Sequence, residues 1–204
     1  MTRILVLILL VVSESCICAS QQCTLAKINS AEDAIDVLDR LSPSDPNPDS
    51  RICIEIAIAT VTQFRSTQAI PELVRYLSFH RNKYPEEDSP AVIRLYVEGN
   101  EYPAIVALAH LGPAIRQPLL EAIESIASSN TIVQNAGHAI ALSFGNENEK
   151  DPGKAIIFLR DAESSANDLT KQRLEQAVAF ILKTPQCKRL AAKCNDADHQ
   201  STAK

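Results

Sequence analysis

Apolar and polar positions alternate along most of this chain with the period of a helix. The clearest case is Tyr102 to Ala127, YPAIVALAHLGPAIRQPLLEAIESIA. Ile105, Leu108 and Leu111 recur at helical spacing, with Ala104 and Ala107 beside them, and Ile115, Leu119, Leu120, Ile123 and Ile126 form a second stripe. Pro103 suits a first helical position, because its missing N–H would have no partner there. Gly112 supplies the left-handed residue that ends a helix, and Pro113 opens the next at once. The stretch predicts two short helices folded back on each other. Such a hairpin cannot bury its stripes alone and needs similar neighbours.

The neighbours are present on both sides. Ser30 is placed as an N-cap, with Glu32 and Asp33 in the first turn and a stripe of Ala34, Ile35, Leu38 and Leu41 behind it. SPSDPNPDS, 42–50, carries three prolines and predicts a loop. In ICIEIAIATVTQF, 52–64, the alternating isoleucines imitate a buried strand, while length and helical surroundings favour a helix. Thr67 is expected to cap the following helix, with Ile70, Leu73, Val74 and Leu77 inside and Pro71 in the first turn. HRNKYPEEDSP, 80–90, interrupts this pattern with charge. AVIRLYVEGN then alternates with period two, which predicts a small extended or β insertion near 91–98. Inserted segments of this kind carry function, so Arg94, Tyr96 and Tyr102 are the candidate binding element.

Beyond the hairpin, TIVQNAGHAIALSF repeats its first helix through Ile132, Val133, Ala136, Ile140 and Phe144, and Gly145 closes it as Gly112 closed the earlier one. The two glycines lie 33 residues apart, a period found in helical arrays. Asp151-Pro152 restarts the chain as cap and first helical residue, with Ile156 and Leu159 inside. Residues 169–185 give a last strong helix through Leu174, Ala177, Val178, Ile181 and Leu182. Pro118, in the sixth position of its helix, is expected to bend the axis. Residues 21–29 read as a polar lead-in, 30–185 as one helical repeat domain, and 186–204 as a polar C-terminal tail, frayed or capping.

The quoted hairpin and NAGHAIALSFG resemble the HEAT-repeat family, α-solenoids of paired antiparallel helices that include the phycobilin-lyase HEAT-like proteins. AIATVTQF-STQAIPELVRYL and EQAVAFIL resemble it more loosely. The likeness spans roughly 52–183 and rests on packing motifs: a small-residue helix ending in Leu-Gly, then a helix with Pro near its start, as at Gly112, Pro113 and Pro118. The Val-Arg pair and capping Asp usual in such repeats are missing from the hairpin. The resemblance implies an all-α fold, a short α-α superhelix, that binds a protein or peptide through its stacked surface. It leaves two alternatives: a lyase-like enzyme holding a tetrapyrrole, and a structural envelope component without a discrete ligand.

Composition adds the compartment. Arg3 precedes a run of apolar residues from Ile4 to Val12, and small residues follow up to Ser20, so residues 1–20 read as a signal peptide. A buried N-terminal helix, a retained anchor and acylation at Cys16 or Cys18 are the alternatives. Export leaves Cys23, Cys53, Cys187 and Cys194, enough for two disulfides with three pairings open. If Cys187 pairs with Cys194, the chain between them must leave the helix, because seven helical positions separate them by roughly 10 Å. A zinc site from Cys187, Cys194, His199 and Asp196 or Asp198 is the competing use, without the usual ligand spacing. The net charge of −5, with no basic run, excludes an electrostatic footprint for nucleic acid. His138 is placed on the outward face of its helix and His110 at the margin of its stripe; His80 and His199 complete the histidines. Ser143 and Ser164 have no base nearby in sequence, and no nucleophile, phosphate or metal motif occurs. The expectation is a secreted or periplasmic binding scaffold with no cofactor, no nucleic acid, no membrane span after cleavage, and no catalysis.

Overall fold

The computed structural model describes residues 28–81, 101–145 and 150–201. The stretch expected to be a signal peptide, Cys23, Arg94, Tyr96 and the extended insertion expected near 91–98 lie outside those residues. Among the described residues the fold is all-α, with no strand beyond an isolated antiparallel bridge between Gly145 and Lys150.

Helix α1 (Ala31–Arg40) starts where Ser30 Oγ accepts the Asp33 N–H at 3.1 Å. Helix α2 (Pro48–Phe64) begins inside the stretch expected to be a loop. Asn47 caps it through the Asp49 N–H at 3.0 Å, and Pro48 takes the first position, where proline costs no hydrogen bond. The isoleucines that imitated a strand divide between two faces: Ile54 and Ile58, four apart, are buried, whereas Ile52 is exposed and Ile56 half-buried. A strand would have put all four on one side.

Helix α3 (Ile70–Arg75) is flanked by 3-10 turns, Thr67–Ala69 and Tyr76–Ser78. Thr67 is not its cap: it opens the 3-10 turn, whose own cap position Ser66 fills without a side-chain bond, and Ala69 precedes α3, so the helix starts through the tighter turn instead. The predicted hairpin is α4 (Pro103–His110) and α5 (Arg116–Glu124), joined by a 3-10 turn from Gly112 to Ile115. Gly112 has φ +66° and open space where a Cβ would point, so its need for glycine comes from the backbone alone. Pro118 is the third residue of α5 rather than the sixth of a longer helix, so its missing donor falls in the first turn and breaks nothing. Ile126 leaves the expected stripe: α5 ends at Glu124, Ser125 turns extended, and Ile126 is 80% exposed.

Helix α6 (Asn130–Ser143) is the centre of the described structure. It packs against α4, α5, the turn after α3, and the next two helices, α7 (Pro152–Glu163) and α8 (Asp168–Lys183). Its small residues allow this. A Cβ on Gly137 would sit 3.0 Å from the Ala177 Cβ, so α6 and α8 approach more closely than side chains normally permit. Its buried Asn135 donates to the Leu77 carbonyl at 2.6 Å, tying α6 to the turn behind α3. Helices α2, α4 and α6 pack in succession, as do α3, α5 and α8 beside them.

The C-terminal stretch is not a frayed tail. Thr184 caps α9 (Pro185–Arg189), and after Leu190 leaves helical geometry the chain forms α10 (Ala191–Ser201), packed on α7. Cys187, Cys194 and Ala197 are buried within a polar composition that hid them. The break at Leu190 brings the Cα atoms of Cys187 and Cys194 to 5.9 Å, and the two form a disulfide.

Candidate binding surface

Beside Tyr102 a histidine, a carboxylate and an aromatic ring meet at the surface. Tyr102 occupies the cap position of α4 and is half-buried, since Pro103 fixes the helix start behind it. Across from it the chain arrives from the turn after α3. The Arg81 N–H donates to the Glu101 carbonyl at 2.8 Å, so Arg81 and Glu101 are brought side by side. His80 stands edge-on to the Tyr102 ring, with ring centres 5.2 Å apart, and its Nε2 lies 3.2 Å from Glu101 Oε2. Both side chains of that pair are about half exposed, which leaves them open to a partner.

Underneath is a second, drier layer. Arg81 Nε donates to Glu55 Oε2 at 3.1 Å, with the two side chains only 13% and 8% exposed. Arg51 lies over the Phe79 ring at 4.7 Å and donates to the carbonyls of Asp45, at 3.3 Å, and His80. A paired buried charge is tolerated only while its partner stays, so this layer fixes the positions of His80 and Tyr102 above it. Sequence reading found Tyr102 but missed Arg51, Glu55, Phe79, Arg81 and Glu101. One signal was present: Glu55 is the lone carboxylate inside the apolar run of α2, a position that demands a cation from elsewhere. Which cation answers is set by the fold.

The remaining candidates are placed as follows. His110 is exposed. His138, expected outward, is instead half-buried between α6 and α8, 5.9 Å from the Phe180 ring, because α6 is enclosed on more sides than its stripe implied. It lines a recess about the size of one water molecule, with Lys150, Pro152, Thr184 and Gln186 around it. Ser143 is structural: its hydroxyl donates to the Ile140 carbonyl at 2.7 Å and accepts from Arg116 Nε at 3.2 Å. Arg116 in turn covers the Phe144 ring at 3.6 Å. The zinc reading is overturned where it depended on thiolates, since Cys187 and Cys194 are bonded to each other and Asp198 is held by Arg160 at 2.7 Å. The His199 side chain lies outside the described residues. Among those described, no three His, Cys, Asp or Glu side chains are grouped to hold a metal ion. Cys53 is buried and disulfide-bonded as well.

Burial pushes the His138 pKa down from its ordinary value. An imidazole that is harder to protonate folded than unfolded leaves stability intact above its unfolded pKa, near 6.5, and removes it as pH falls through the lower folded value. The wild type is therefore expected to lose melting temperature below about pH 6.5 faster than a His138→Gln variant, which has no proton to take up. Parallel melting curves for the two proteins across pH 5 to 7 would refute this assignment.

Comparisons of the chain with protein-family models, with curated proteins and with solved structures find no match.

Proposed function

We propose that this chain is an exported, HEAT-like α-solenoid that binds another protein or peptide through the surface around His80, Glu101 and Tyr102. The observation that carries the reading is the backbone hydrogen bond from Arg81 to Glu101, which joins residues 20 positions apart beside Tyr102. A helical frame that fixes exposed polar and aromatic side chains at one place is how repeat proteins present a contact surface. The two successions of packed helices, α2–α4–α6 and α3–α5–α8, support the solenoid reading. The Cys187–Cys194 disulfide supports an oxidising compartment, and no helix among the described residues is long and apolar enough to cross a membrane.

Site-specific crosslinking tests the proposal. A photo-crosslinking residue at Glu101, incubated with the extracellular or periplasmic fluid of the producing cells, is expected to capture a discrete partner. The same probe at exposed Asp161 serves as the control and is expected to capture nothing comparable. Equal labelling from both positions, or none from Glu101 in repeated trials, would defeat the reading.

A further inference from the structure

We infer that two copies of this chain associate head to tail, the acidic first helix of one against the basic C-terminal cap of the next. The inference is independent of the surface around Tyr102 and rests on how charge is divided along the packed helices. Helix α1 carries Glu32, Asp33, Asp36 and Asp39 against a single base, Arg40, and all four carboxylates are exposed. Two are partly neutralised locally: Asp36 meets Arg40 at 2.6 Å, and Asp39 lies 3.5 Å from Arg75. Arg75 is itself shared with Glu72, so the surplus on this end stays negative. Asp49, exposed at the start of α2, extends it.

The other end has the opposite sign. From Lys183 to Cys194 the chain carries Lys183, Lys188, Arg189 and Lys193 and no acid, and all four cations are exposed. The disulfide folds this stretch back on itself, so the charges are gathered on α9 and its flanks rather than spread along a rod. Of the two acids that follow, Asp198 is paired with Arg160 of α7, at 2.7 Å, and Asp196 is exposed, so four cations stand against one open carboxylate.

The two patches lie at opposite ends of the packing. Contacts run from α1 to α2, then through α4 and α6 to α7, and α10 packs on α7. A surface of one sign at one end and of the other sign at the far end is complementary to a second copy, not to itself across a two-fold axis. Such a contact is heterologous, so each copy keeps one patch to offer a further copy unless the assembly closes into a ring. Because both patches are exposed, the attraction is screened within about 10 Å at ordinary salt, which makes the association weak and salt-dependent.

Sedimentation velocity on the full, oxidised chain reads this directly. At low salt the weight-average mass is expected to rise with protein concentration, and at high salt to return to that of one chain. A Lys188→Glu/Arg189→Glu variant alone should stay monomeric at low salt, and so should a Glu32→Lys/Asp36→Lys variant, with circular dichroism showing that each is folded. Mixing the two restores opposite signs at both kinds of contact, so the mixture should associate. A wild type that sediments as a single chain at every salt and concentration would overturn the inference. So would variants that associate on their own, or a mixture that stays monomeric.

Discussion

Replacing Tyr76 with alanine is expected to destabilise the protein by about 3–5 kcal/mol, and with phenylalanine by about 1–2 kcal/mol. Tyr76 is fully buried, and its ring stands edge-on to Phe79 at 6.1 Å. Its hydroxyl donates toward two carbonyls at the end of α1, Leu38 at 3.0 Å and Leu41 at 2.8 Å. Those carbonyls have no partner within α1, so the side chain both fills the core and finishes a neighbouring helix. Alanine opens a cavity and leaves both acceptors without this donor. Phenylalanine keeps the packing and loses only the hydrogen bonds, one acceptor being open enough to reach water. Chemical denaturation of the three proteins separates the contributions. If phenylalanine costs as much as alanine, the packing argument fails; if alanine costs under about 1 kcal/mol, the site collapses and is not the anchor described.

The same residue gives an alkaline signature. Burial pushes the Tyr76 pKa up to about 12, with the Arg75 charge pulling weakly the other way. An acid that ionises less readily when folded gives stability that is whole below the unfolded value, near 10, and lost as pH climbs towards 12. The Tyr76→Phe variant lacks that component, so the gap in stability between it and the wild type should narrow across that interval.

Local chemistry was the legible part of this fold. Ser30, Gly112, Gly145 and Asp151-Pro152 act where their backbone preferences place them, because caps and left-handed turns involve only a few neighbouring residues. Errors begin where one element's burial depends on others. A stripe on α6 predicted one buried face, but Gly137 against Ala177 lets α8 close on a further side, and His138 goes inward with it. Ile126 obeyed the helical period after the helix had ended. The binding surface was half visible for the same reason. Tyr102 announces itself through Pro103, whereas the pairing of Glu55 with Arg81, and of Arg81 with Glu101, joins residues that no local pattern relates.

Loss of the Cys187–Cys194 bond is the second large effect expected, and its consequence is regional. Closing a loop of this size restricts the unfolded chain by roughly 2–3 kcal/mol on the entropic account. The bond also clasps the turn at Leu190, where α10 folds back from α9 onto α7. Arg160 is the other tie. Burial lowers its pKa, but hydrogen bonds to Glu163 and Asp198 outweigh this and hold the guanidinium firmly charged. One ion-pair cluster, partly open to water, cannot hold a helix as polar as α10 in place without the covalent clip. A Cys187→Ala/Cys194→Ala variant is therefore expected to exchange the amide hydrogens of residues 191–201 much faster than the wild type, with α4 to α6 keeping their protection. The double variant is needed because reductant alone also opens the Cys53 bond. Unchanged exchange in α10 would mean that packing on α7 suffices and that the disulfide adds nothing to the cap. Uniform loss of protection along the chain would instead make α9 and α10 part of the one cooperative core, with the bond stabilising the whole domain and not its end.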